Sequence, residues 1–341
     1  MTRSRRVTTS ACLLSLMVGV ALARLVEARQ ADAPKGALER VMVHGRALEG
    51  NLEGDSPDRA VVVYLPPSYA KETRRHYPVL YFLHGYGATA EAYVRSLQIP
   101  DSIDRAIAAG SEEMIVVLPD ASSRFGGSMF SNSPTIGDWE TFIARDLPAF
   151  IDGRYRTIAT REGRGLAGHS MGGYGTMRIG MKRPDVFGAM YAMSSCCLFN
   201  NPAAPPAPGQ PQVGRGALAN ALSAQAAAWA PDVANPPGYF DLPTKDGAVQ
   251  PIIAAQWVAN SPLVMVGQYG PALRSMKAIA LDVGDKDPFA STNRQLDEAL
   301  TRVGATHSLE IYDGDHGSRI RERFETKVIP FFSRQLTHAR R

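Results

Sequence analysis

Residues Gly168-His169-Ser170-Met171-Gly172 form a G-x-S-x-G pattern, and what flanks them restricts the fold more than any other stretch of the chain. Arg164-Gly165-Leu166-Ala167 reads as the end of a short strand, and Gly173 to Met181 as a helix that starts tightly packed. A strand that turns this sharply into a helix holds its serine in a strained backbone conformation, with Oγ exposed at the edge of a parallel sheet. The small residues serve that turn. Gly168 and Gly172 let it fold sharply, and Gly173 lets the helix approach the sheet.

A serine presented in this way becomes a nucleophile beside a base, and the base needs a carboxylate to orient it. Downstream, Lys277 to Gly284 reads as a strand running into the loop Asp285-Lys286-Asp287-Pro288-Phe289. Near the C-terminus, Ser308 to Tyr312 reads as a strand ending in Asp313-Gly314-Asp315-His316-Gly317. Serine, acid loop and histidine loop thus each follow a strand, at the sheet edge where open α/β sheets bind ligands. The expected assignment is Ser170 as nucleophile, His316 as general base and Asp287 as its orienter. Asp285 is the alternative acid. Asp282 falls inside the strand and is expected to be structural. Among the other histidines, His307 precedes the last strand and reads as a surface residue, His338 lies in the tail, and His169 is expected to point away along the turn.

Acyl transfer through a tetrahedral intermediate needs two N–H donors for the developing negative charge. The amide of Met171, directly after the serine, is one candidate. The apolar strand Pro78 to Leu83 is followed by His84-Gly85-Tyr86-Gly87, and a loop of this H-G-x-G form places the Tyr86 amide as the second. His84 and the glycines are expected to shape that loop.

With these residues in view the chain resembles the esterase D group of putative esterases, which includes S-formylglutathione hydrolases, feruloyl esterases, enterochelin esterases and antigen 85-type mycolyltransferases. The resemblance runs from about Leu48 to Leu336. It rests on Val63-Tyr64-Leu65-Pro66-Pro67-Ser68-Tyr69, Leu83 to Gly87, Val117-Leu118-Pro119-Asp120, Gly137 to Phe142, Gly168 to Tyr174, and the Asp287 and His316 loops. It implies an α/β-hydrolase fold, a mostly parallel sheet with helices on both faces, and ester chemistry without a cofactor. The chain departs from the glutathione-linked members in its leader.

That leader begins with Arg3, Arg5 and Arg6, continues with an apolar run from Ala11 to Ala23, and closes on the small-residue pattern Ala21-Leu22-Ala23. It reads as a signal peptide over 1–23, too short for a comfortable membrane span. An exported protein, periplasmic or secreted and without a membrane span after cleavage, is therefore expected. Cleavage lowers the formal charge from +4 to about +1. No basic stripe remains to suggest nucleic acid. The mature chain would keep Cys196 and Cys197, whose adjacent Cα atoms argue against an ordinary disulfide. They are expected to be small buried thiols near the sheet edge. No cluster of side chains at metal-ligand spacing is visible.

Residues 24–37 read as a linker and 38–338 as one α/β domain. Leu38 to Leu65 supplies antiparallel strands that open the sheet. From Tyr77 to Ser195, strands alternate with helices as in parallel βαβ units. The proline-rich run Asn200 to Pro211 breaks this rhythm. An alanine-rich helix from Gly216 to Ala230 and a second Pro/Gly stretch follow, so 200–262 reads as an insertion placed over the site as a cap. Phe125 to Asn132 is a further loop at the same edge, and Trp139 is placed either at the pocket border or in the core. The expected function is a serine carboxylesterase acting on a small-molecule or carbohydrate-linked ester. An acyltransferase using the same acyl-enzyme is the alternative, and a binding protein on a retired hydrolase fold is a third reading.

Overall fold

The structure is a computed structural model that describes residues 35–202 and 215–338. The leader 1–23 and nearly all of the expected linker lie outside the described residues. The first strand begins at Ala37, inside the stretch read as linker.

Eight strands form the main sheet: β1 (Ala37–His44), β2 (Asp58–Leu65), β3 (Val79–Leu83), β4 (Ile115–Pro119), β5 (Arg164–His169), β6 (Ala189–Met193), β7 (Ala278–Gly284) and β8 (His307–Tyr312). Their spatial order is β1-β2-β4-β3-β5-β6-β7-β8. β2 runs antiparallel to both its neighbours, and β3 to β8 pair in parallel. The crossover from β3 to β4 before the return to β5 makes the sheet doubly wound, so the α/β class expected from the sequence is the one observed.

Strands covered on both faces must be apolar on both, and β3, β4 and β6 are buried at every position. Alternate side chains separate into two layers. Val61, Val63, Tyr81 and Leu83 face one core with Phe142, Ile151, Tyr174 and Ile179. Val62, Tyr64, Leu80 and Phe82 face the other with Val94, Ile103, Phe324 and Phe332. The second layer holds α1 (Ala90–Ser96), α2 (Asp101–Ala108) and the C-terminal helical run, and the first holds α3 (Leu147–Arg154) and α4 (Met171–Lys182). Trp139 belongs to the core: it is buried, its indole N–H donates to the Ile136 carbonyl, and the Arg59 guanidinium lies over its ring.

α4 is clamped by a buried charge cluster in which Arg178 and Lys182 both contact Glu140, at 2.7 and 2.8 Å. Burial pushes the Glu140 carboxyl up, but the two cations outweigh it and hold the group below the ordinary glutamate range.

Between β6 and β7 the described part of the insertion contains α5 (Arg215–Trp229), close to the expected helix, then α6 (Pro251–Ala259). It is fixed to the first layer. Trp229 packs on Tyr174 and Trp257, Ser133 donates to the Ala227 carbonyl, Thr135 donates to the Tyr239 carbonyl, and Phe240 meets Phe125 edge to face. It therefore lies against the 125–135 loop and α4, both of which reach the carboxyl edge of the sheet.

Candidate active site

Ser170 sits between β5 and α4 with φ 57° and ψ −115°, the strained positive-φ backbone that the turn was expected to impose. Two glycines make it possible. A Cβ on Gly168 would strike the backbone of Gly172, and a Cβ on Gly172 would strike the carbonyl of Leu83 at the end of β3. The helix therefore starts in van der Waals contact with the neighbouring strand.

Three strand-end loops meet at this point. Ser170 Oγ lies 2.9 Å from His316 Nε2, and His316 Nδ1 lies 2.9 Å from Asp287 Oδ2. Asp287 follows β7, and its side chain is wholly buried. Its other oxygen accepts the Phe289 amide at 2.8 Å. Burial pushes this carboxyl up, but the hydrogen bonds from His316 and Phe289 outweigh burial and hold it below the ordinary aspartate range. It stands as a carboxylate under the imidazole. Asp285, the alternative acid, points elsewhere: its Oδ1 accepts the Gly314 amide at 3.0 Å and braces the histidine loop. Asp282 lies inside β7, bonded to Tyr191 and Arg323.

The loop after β3 abuts the serine, since a Cβ on Gly85 would lie 3.4 Å from Ser170 Cβ. His84 is buried and shapes the loop. Its Nε2 accepts the Ala121 amide at 2.8 Å, so Nδ1–H donates to the Gly85 carbonyl. The Tyr86 hydroxyl donates to the Phe125 carbonyl, and the Gly87 amide to the Gly126 carbonyl. Among the described residues neither the Tyr86 amide nor the Met171 amide has an acceptor. Met171 is the first residue of α4, where an N–H has no intrahelical partner.

Two histidines differ from their sequence reading. His169 does not point away. It is buried behind His316, with ring centroids 4.9 Å apart, and its Nε2–H donates to the His316 carbonyl at 2.9 Å. Its Nδ1 accepts the Tyr93 hydroxyl at 2.7 Å. Burial, then the neighbouring His316, push its pKa down to about 4, so it is a neutral strut. His307 is not a surface residue. It opens β8, its side chain is nearly buried, and it contacts Asp297 and the Ala305 carbonyl. Tyr93 and Ser194 carry no signal in the sequence. Ser194 helps hold the Asp287 carboxyl down. Cys196 and Cys197 follow it, the first buried and the second half-buried.

The loop 125–130 is held by an acid that nothing in the sequence singles out. Glu53 accepts the Phe125 amide at 3.0 Å. Burial, then the charge of Asp55, push its pKa up to about 7. A folded-state pKa above the unfolded one means that the contribution is intact below about pH 4.5 and is lost as pH rises through about 7. Glu53→Gln keeps the acceptor and removes the titration. It is expected to gain on the order of 2 kcal/mol over wild type at pH 8 relative to pH 4.5. Urea midpoints at the two pH values measure this, and a difference independent of pH would contradict it.

Among the described residues no group of three His, Cys, Asp or Glu side chains is placed to hold a metal ion, and no helix is long and apolar enough to cross a membrane. Residues 56–329 match the family described as "Putative esterase". The chain belongs to that family. An esterase of Mycobacterium tuberculosis is 36% identical over 126 residues, covering 36% of this chain and 26% of that protein. An endo-1,4-beta-xylanase/feruloyl esterase of Xylanibacter ruminicola is 32% identical over 133 residues, covering 37% of this chain and 18% of that protein. The chain thus spans about a quarter or less of these relatives. Over nearly its full length it resembles a solved ferulic acid esterase, with a TM-score of 0.66, 25% identity, and 89% of this chain and 99% of that one covered. The likeness covers the α/β fold that carries the Ser170 turn.

Proposed function

We propose that the protein is an exported serine carboxylesterase that works through an acyl-enzyme. The observation that carries this reading is the unbroken line from Ser170 Oγ through His316 to Asp287, with 2.9 Å at each step. His316 Nε2 accepts the Ser170 proton as Oγ attacks the ester carbonyl, then returns it to the leaving alcohol. Asp287 fixes the tautomer by accepting from Nδ1–H and stabilises the imidazolium that forms. The Tyr86 and Met171 amides receive the negative oxygen of the tetrahedral intermediate. Water activated by the same His316 then releases the acid. Export rests on the basic start and apolar run that end at Ala23.

p-Nitrophenyl acetate and butyrate test the reading. Turnover with an initial burst of p-nitrophenolate is expected, because an acyl-enzyme accumulates when deacylation is the slower step. A folded protein that turns over neither ester, and releases no burst, would contradict it.

Tyr93 and His169 act on this chemistry through His316. Tyr93→Phe removes the hydroxyl that donates to His169 Nδ1, and with it the bond that fixes the tautomer whose Nε2–H holds the His316 carbonyl. It is expected to lower kcat about tenfold with KM little changed, because positioning errors act on the reacting geometry. Steady-state kinetics on p-nitrophenyl butyrate measure this, and a change confined to KM would refute a positioning role.

A further inference from the structure

We propose that Cys196 and Cys197 close a disulfide between adjacent residues, beside the Ser170 turn. Their sulfurs lie 2.8 Å apart, closer than the roughly 3.5–4.0 Å at which even the smaller carbon atoms rest without a bond. The expectation of two unlinked core thiols rests on the Cα separation of about 3.8 Å across one peptide, shorter than ordinary disulfides use. The local backbone turns both side chains to the same side, with Cys197 at φ 58°. Its neighbours hold that conformation. The Cys196 amide donates to the Ser170 carbonyl at 3.3 Å, Asn200 Nδ2 donates to the Cys197 carbonyl at 2.7 Å, and Gln225 of α5 reaches the Cys197 sulfur at 3.4 Å. Among the described residues these are the free cysteines, so neither has another thiol to pair with there.

The half-buried Cys197 is the sulfur that a small reagent meets first. With oxidised glutathione as the oxidant, the Cys197 thiolate attacks one sulfur and expels one glutathione thiolate. Cys196 gives its proton to solvent and attacks the Cys197 sulfur of the mixed disulfide, expelling the second glutathione. Two protein thiols are oxidised, and one glutathione disulfide is reduced to two thiols. The contact with Cys197, and then burial, push the Cys196 thiol up. Its placement against Cys197 makes the closing step intramolecular all the same. The closed bridge holds the Cys196 amide on the Ser170 carbonyl.

The test needs no turnover, so its failure and that of the esterase reading are distinguishable. The full chain is equilibrated with oxidised glutathione, denatured in N-ethylmaleimide without reductant, digested with trypsin and weighed. Both cysteines fall in one tryptic peptide, within 183–215, and Cys12 falls in another. The expected peptide carries no maleimide and is lighter by two hydrogens than the same peptide after dithiothreitol, which then takes up two labels. Two labels without reduction, a retained glutathione, or a cross-link to Cys12 or a second chain would each overturn the proposal.

Discussion

Ser170→Ala is expected to cut ester turnover by a factor of about 10⁴ or more while leaving the protein folded. The size follows from what the substitution removes. In the proposed mechanism the hydroxyl oxygen forms the covalent bond to the acyl group, and His316 Nε2 lies 2.9 Å from it. The turn around it is set by other atoms: the Ser170 amide on the Met193 carbonyl, the Tyr174 amide on the Ser170 carbonyl, and the glycines on either side. Alanine keeps all of these. Circular dichroism and melting should match wild type to within about 1 kcal/mol, the usual limit for losing one hydrogen bond. In the proposed mechanism the residual rate comes from the donors at Tyr86 and Met171. Initial rates on p-nitrophenyl butyrate with purified variant decide it, and a rate within tenfold of wild type would contradict the assignment of the nucleophile.

Gly172→Ala is expected to have the largest effect on stability, about 3 kcal/mol or more. Its Cβ would strike the Leu83 carbonyl oxygen and come within 3.0 Å of the His84 carbonyl oxygen. Both obstacles are backbone at the end of a central strand, so no flexible side chain can give way. Relief requires α4 to move off the sheet, which carries the Met171 amide with it. Gly267→Ala is the control. Gly267 lies in the helix Pro262–Gln268, where an added Cβ would meet nothing within 4 Å. Alanine there should be neutral or stabilising by up to about 1 kcal/mol. Chemical denaturation of the pair measures both, and equal midpoints would contradict the close approach of α4 to β3.

The sheet is legible in the sequence because its central strands are buried on both faces and therefore read as unbroken apolar runs, such as Val79 to Leu83 and Ile115 to Leu118. The placement of Ser170, Asp287 and His316 on the loops after β5, β7 and β8 is legible for a related reason: turn chemistry follows each of those runs. What stays hidden depends on which loops meet in space. The direction of His169 is set by the carbonyl of His316, 147 residues away, and by the hydroxyl of Tyr93 on α1. No local pattern marks such partners. Glu53 lies in the stretch Leu38 to Leu65, read only as strands, and no local pattern there marks it as the acceptor of the Phe125 amide. The neighbours of His307 suggest a loop residue, but β8 begins one residue earlier than the apolar alternation implies. For the two cysteines, Cα spacing carries no information on side-chain direction.

The proposed esterase chemistry stands on Ser170 being a nucleophile activated by His316. The most direct measurement is labelling of the intact chain with a fluorophosphonate, followed by peptide mapping, for wild type and His316→Ala. One stoichiometric label on Ser170 is expected in wild type, with labelling slowed by orders of magnitude in the variant. A label on another residue, or equal rates in the two proteins, would contradict it.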